Sequence, residues 1–301
     1  KNIAPRLKLI LMSGMSHDVF INIDAEHYHY RDQVFDIYSK VLLDNSEFFE
    51  WNQTGIVVQA YLRDGINHLR DVIGLAKKRN LIMPIRLVKG AYWDAETIEA
   101  EAHNFVPPQF LNKDETDIHF RQLIFETLQA GEYLQLAVAS HNLQDHCFSE
   151  ALREKQFSSA PIIEHQCLHM TYEGLSVGLA KMGWATRNYI PVGHLLVGMA
   201  YLVRRIMENS SQVGVLTIMR SHKNALERKT PTQKLKHLKK RGGIFYDDSI
   251  SKMSGDFKNI YPLRSYRKNH LTLALESLNR DLKMLEEGKR FYESGSNEVV
   301  C

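Results

Sequence analysis

The stretch Pro84-Ile85-Arg86-Leu87-Val88-Lys89-Gly90-Ala91-Tyr92-Trp93-Asp94 reads as one strand-to-helix junction. Branched apolar residues carry a strand as far as Lys89, and Gly90 breaks it. Two aromatics then lead to Asp94, where an amphipathic pattern over 94–103 begins. The same grammar recurs on either side. Ile- and Val-rich runs at 19–24, 56–61, 84–89, 134–140, 161–167 and 187–192 are each bounded by Gly, Pro, Asn or Ser. Helical patterns occupy 30–43, 65–78, 94–103, 117–130, 143–154, 174–182 and 195–209. Strand, helix, strand at this spacing gives an α/β fold with parallel strands, and continuous apolar runs predict strands buried on both faces. A (βα)8 barrel and an open doubly wound sheet both fit. No G-x-G-x-x-G follows the first run, which disfavours the dinucleotide-binding sheet.

Six strands are recognisable where a closed barrel of this class needs eight. The expectation is therefore a partial barrel over 1–219, with the first two strands upstream of the chain. Residues 220–301 differ in character: a basic connector over 221–241 precedes a leucine-rich helical pattern over 269–287. The net charge of +3 is too small to argue for nucleic acid. Cys147, Cys167 and Cys301 form no C-x-x-C pair, and their odd number points away from a disulfide framework and toward a reducing compartment. The first ten residues lack the apolar core of a signal peptide, and no run approaches the roughly 18 apolar residues of a membrane span.

Barrels of this kind gather reactive groups at the C-terminal ends of their strands. Here those ends carry Asp24, Gln59, Lys89, His141, Gln166 and Tyr189, which predicts a shared pocket. Gly90 allows close approach of the backbone to a ligand. Arg86 interrupts an apolar strand and needs an anionic or electron-rich partner; a structural carboxylate inside the barrel is the simpler alternative. Tyr201, Arg204, Arg205 and Glu208 fall at i, i+3, i+4 and i+7 and share one helical face. Two adjacent guanidinium groups demand an anion, either a bound carboxylate or phosphate or the neighbouring Glu208. No H-E-x-x-H or P-loop occurs, so metal and nucleotide-triphosphate chemistries are disfavoured. Lys89 leaves open a lyase or aldolase working through a Schiff base.

Taken in order, INIDAE (21–26), VVQAY (57–61), RLVKGAYWD (86–94), SHN (140–142), EHQCLHM (164–170), YIPVG (189–193) and AYLVRRIMEN (200–209) resemble the proline dehydrogenase family, particularly its fused bacterial form. The resemblance implies a distorted (βα)8 barrel holding FAD. It implies flavin contacts at Gln59, Arg86, Val88, Gly90, Ala91, Trp93, Thr116, His141, Asn142 and Gln166, with Asp117 beside Thr116 at the adenine end. It implies a substrate pocket of Asp24, Tyr92, Leu168, Tyr189, Arg204, Arg205 and Glu208, in which the arginine pair clamps the carboxylate of L-proline. Arg86, Tyr189, Arg204 and Arg205 are the catalytic residues so implied. The implied reaction is hydride transfer from L-proline to flavin N5, giving 1-pyrroline-5-carboxylate, with electrons passed to a membrane quinone. A cytoplasmic protein in transient peripheral contact with a bacterial inner membrane would follow. So would an aldehyde dehydrogenase domain downstream, with 220–301 as its connector. Ser140 stands where the family usually has Thr. The alternative is a non-catalytic barrel fragment acting only through protein contacts.

Overall fold

A computed structural model describes residues 3–103, 106–169 and 173–194, with isolated positions 198, 199, 201, 203, 275, 276, 279 and 283. The chain begins with α1 (Ile3–Ser16), β1 (Ile21–Ile23), α2 (Tyr28–Asp44) and a 3-10 turn at Ser46–Phe48. It continues through β2 (Thr54–Gln59), α3 (Gly65–Arg79), β3 (Met83–Val88), α4 (Trp93–Ala102) and α5 (Lys113–Gln129). Then follow β4 (Leu134–Ala139), α6 (Leu143–Gln156), β5 (Glu164–Leu168), α7 (Glu173–Lys181) and β6 (Ala185–Tyr189).

All six strands are parallel and lie side by side in sequence order, β1 to β6. A doubly wound sheet reverses its strand order at a central strand, whereas a barrel adds each strand beside the last. The order therefore decides between the two folds left open above: this is a six-stranded arc of a (βα) barrel.

Register explains how the arc is packed. Ile85 pairs with Ile56 and Leu136. With Met83, Leu87, Leu134 and Val138 these residues join Leu69, Val72, Phe120, Leu123 and Ile124 of the helices in one core. Burial of such side chains contributes roughly 1.5–3 kcal/mol each and is the main force holding helices to sheet. The intervening residues Pro84, Arg86 and Val88 are only half-buried. The expectation of strands buried on both faces thus holds for β2, buried at every position, and fails for β3. The helix-facing side of β3 is apolar and covered. Its other side forms the concave face, where a polar residue reaches a cavity.

Helix α1 was not foreseen among the patterns above. Its signal is present: Ala4, Leu7, Leu11 and Met15 recur at helical spacing and pack on the core. The expected helix over 195–209 and the 220–301 tail fall largely outside the described residues. Among those residues no helix is long and apolar enough to cross a membrane.

Candidate active site

Arg86 and its strand partner Val57 sit side by side, so their side chains leave the same face of the sheet. Gln59, two residues beyond Val57, shares that face. The face encloses a cavity of about 240 Å3 walled by Asn22, Asp24, Arg86, Gln166, Arg187 and Tyr189, among others. Four of these are predicted site residues: Asp24, Arg86, Gln166 and Tyr189. Arg86 Nη2 is ion-paired with Asp24 Oδ1. Its guanidinium carbon lies 5.7 Å from the centre of the Tyr189 ring. Burial pulls the Arg86 pKa down, with Tyr189 and Glu164 opposing, yet a guanidinium stays charged at any relevant pH. The cavity thus holds a fixed cation beside a carboxylate and an aromatic face.

Two polar atoms of this region are buried without a hydrogen-bond partner: Arg86 Nε and Gln59 Oε1. Gln59 is held by its amide, which donates to Glu26 O at 3.1 Å. Buried groups are seldom left unpaired. A donor and an acceptor together suit the polar edge of a planar heteroaromatic ligand such as a flavin ring, so the residues present fit that group.

The other strand ends behave differently. His141 Nε2 accepts from Leu168 N at 3.2 Å, which places the ring proton on Nδ1. This contact ties the predicted flavin residue His141 to the predicted substrate residue Leu168. Lys89 departs from the expectation of a shared pocket. Its ammonium turns into the helix layer, 2.6 Å from Asp117 and 3.0 Å from Asp145. Burial acts to lower the Lys89 pKa, but the two carboxylates outweigh it and the net shift is upward. An ammonium so held is a poor nucleophile, which removes the Schiff-base reading. Its partner Asp117, expected near an adenine, is committed to Lys89.

Several residues named by resemblance lie along the strand and loop after Arg86. Val88 is half-buried on the concave parity, and Gly90 and Ala91 are exposed. Gly90 adopts φ +121°, and a Cβ there would overlap the Tyr61 ring. The glycine is required by its own backbone and by Tyr61, whatever ligand comes near. Tyr92 packs against His27, with ring centres 4.9 Å apart. Trp93 Nε1 donates to Phe110 O at 2.9 Å. Asn142 Oδ1 caps α6, accepting from Gln144 N at 3.3 Å. Thr116 is buried in the first turn of α5 and is not among the residues walling the cavity.

Arg204, Arg205 and Glu208 lie outside the described residues. Tyr201, which begins their pattern, is described. It is buried, stacks on Tyr189 with ring centres 5.9 Å apart, and donates from its hydroxyl to His169 O at 3.0 Å. One residue of that face is thereby seated on the cavity wall.

The sequence reading missed Arg187. It pairs with Glu164 Oε2 at 2.9 Å and lies over the Phe20 ring at 4.9 Å. Its signal was available: it stands two residues before Tyr189 and so faces the same way. Also missed was the clamp at the start of α2, where Arg31 reaches Asp64 at 2.6 and 2.8 Å and Asp32 at 3.0 Å. Nothing local marks the Arg31–Asp64 pair, whose members lie 33 residues apart. Among the described residues no group of His, Cys, Asp and Glu is placed to hold a metal ion.

Comparison with known proteins adds independent findings. A sequence model described as proline dehydrogenase matches residues 2–217. Bifunctional protein PutA of Rhizobium meliloti is 34% identical over 214 residues, covering 69% of this chain and 17% of that protein. Proline dehydrogenase 1 of Bacillus subtilis (strain 168) is 32% identical over 202 residues, covering 67% of this chain and 58% of that one. The crystal structure of proline utilization A from Bdellovibrio bacteriovorus, inactivated by N-propargylglycine, superposes with a TM-score of 0.78 at 32% identity. That match covers 94% of this chain and 29% of the other. By sequence the chain spans 17% of the Rhizobium meliloti protein and 58% of the Bacillus subtilis one, and by structure 29% of the Bdellovibrio bacteriovorus protein.

Proposed function

The chain belongs to the proline dehydrogenase family, and from that premise we propose that it carries the proline-oxidising site of an FAD-dependent proline dehydrogenase. FAD, held by Gln59, Arg86, Val88, His141 and Gln166 with the 90–93 loop alongside, would supply the acceptor for the two electrons that L-proline loses. The observation that carries this reading is the half-buried Arg86 guanidinium, whose buried Nε is orphaned while Nη2 holds Asp24.

The chain's own residues have definable tasks. Arg86 places a fixed positive charge where negative charge accumulates on reduction, in a site that excludes water on one side. Asp24 orients Arg86. Tyr189, Tyr92 and Leu168 enclose the pyrrolidine ring. Arg204 and Arg205, one turn beyond Tyr201 by sequence spacing, grip the substrate carboxylate bidentately, and Glu208 balances the pair. A carboxylate fixed in this way limits the ring to one reactive orientation. The substrate nitrogen must give up its proton before the adjacent C–H bond breaks, so turnover rises with pH until the amine is neutral. The product is 1-pyrroline-5-carboxylate, and the electrons pass on to a quinone at the membrane surface. In a longer protein, an aldehyde dehydrogenase downstream would take the product onward.

Arg86→Gln tests the reading. It keeps hydrogen-bonding capacity and removes the charge. Expected is a fall of about 100-fold in kcat for dye reduction by L-proline, on the scale of losing one preorganised electrostatic group, with FAD still bound. Unchanged kcat in the substituted enzyme would remove Arg86 from the mechanism.

A further inference from the structure

Behind the cavity, in the layer between sheet and helices, lies a hydrogen-bonded chain that the reaction above does not use. His146 Nε2 meets Ser140 O at 2.8 Å. His146 Nδ1 meets His165 Nδ1 at 2.9 Å, and His165 Nε2 meets Glu150 Oε1 at 2.9 Å. Both rings are wholly buried, and the His165 ring is stacked on Trp184 with centres 4.8 Å apart.

Counting protons along this chain gives a definite result. A backbone carbonyl can only accept, so the bond to Ser140 needs a proton on His146 Nε2. The bond between the two Nδ1 atoms needs one proton, supplied by either ring. The bond to Glu150 needs a third. Glu150 also accepts from Arg153 Nε through its other oxygen at 3.0 Å. Burial acts to raise the Glu150 pKa, but His165 and Arg153 outweigh it and the net shift is downward, so the carboxylate is ionised. The third proton therefore resides on His165 Nε2. Two imidazoles that carry three protons have one positive charge, which the carboxylate balances. Asp145 and Lys89 also act on His146, with opposite signs.

We propose that His146, His165 and Glu150 are positioning residues: a buried imidazole–imidazolium–carboxylate chain with three shared protons that holds the Ser140 carbonyl. By doing so it sets the strand end from which His141 reaches Leu168. The count of three protons stands on the three contacts, and their placement on the rings on Glu150 being ionised, whereas the consequence for ligand binding rests on His141 being a flavin contact. The chain is anchored at both ends, by the β4 terminus and by α6, and a charged pair hydrogen-bonded throughout is the form in which burial is tolerated.

The test uses the 301-residue chain labelled with nitrogen-15 in its histidines. Long-range proton–nitrogen spectra at neutral pH should find Nε2 protonated on both rings, and a coupling between the two Nδ1 nuclei through one shared proton. A bare Nε2 on either ring, or no such coupling, overturns the proposal. Glu150→Gln replaces the carboxylate by a side chain that can donate. The chain is then complete with two protons, and His165 Nε2 should lose its own; a retained proton there counts against the charge pairing. His146→Leu removes the donor to Ser140 O, and the FAD dissociation constant should rise about fivefold, the scale of one lost hydrogen bond. Glu150→Gln keeps the chain hydrogen-bonded from end to end and should raise it less than His146→Leu does. Equal FAD affinity in wild type and His146→Leu rejects the positioning role. If no chain binds FAD, the flavin reading fails with the positioning role, while the histidine spectra still decide the proton count.

Discussion

Arg86 and Lys89 stand three residues apart at the end of one strand and have opposite fates. Arg86 falls on the concave parity and meets the cavity; Lys89 follows the strand's last residue and turns outward between two carboxylates. The sequence reading placed Lys89 among the pocket residues because strand-end position alone does not determine direction. The distinction has an energetic consequence. Lys89→Met should leave Asp117 and Asp145 buried, with Arg121 still 2.9 Å from Asp145. A loss of about 3–5 kcal/mol in urea unfolding is expected for a broken buried pair. A change below about 1 kcal/mol would show the network to be solvated. Arg86, by contrast, was legible in advance, because a charged residue inside an apolar strand needs a partner.

At the scale of elements, the β-rich runs and helical patterns located every strand among the described residues, since branched apolar runs and their Gly, Pro and Asn boundaries are local signals. Strand ends shifted by a few residues: the run read at 187–192 is a strand at Ala185–Tyr189. Helix α1 escaped because its apolar residues are diluted by exposed Ile3, Leu9 and Ile10. The buried histidine chain could not be foreseen, because its rings come from α6 and β5 and only packing joins them. Two helix caps permit a controlled comparison. Asn112 accepts from Asp114 N at 2.9 Å at the start of α5, and Asn142 accepts from Gln144 N at the start of α6. Asn112→Ala and Asn142→Ala should each cost about 1 kcal/mol of stability. Only Asn142→Ala should also weaken FAD binding, measured by fluorescence titration. Equal FAD affinity in both variants would reduce Asn142 to a cap.

For the molecule as a whole, six parallel strands in sequence order make one wall of a barrel, helices cover its outer side, and polar strand ends share its inner side. Strand order was the one feature of the fold that local pattern left open, since it depends on which strands pair. Its core also sets a pH dependence. Burial lowers the His146 pKa to about 4 from the ordinary 6.5. The unfolded chain then binds a proton at this ring that the folded chain refuses. The associated stability is complete above pH 6.5 and is lost as pH falls from 6.5 toward 4, on the order of 3 kcal/mol in total. Between pH 7.5 and 5 the wild type should lose more stability in urea unfolding than His146→Leu does, and part of the dependence stays in both because burial also lowers the His119 pKa.

The most direct test of the central claim is optical. The chain is incubated with FAD, freed of excess by gel filtration, and mixed anaerobically with L-proline while its visible absorbance is followed. Retained flavin absorbance that bleaches with L-proline and not with D-proline is the predicted result. A chain that retains FAD without bleaching, or retains none, contradicts the assignment of the Asp24–Arg86–Tyr189 cavity to proline oxidation.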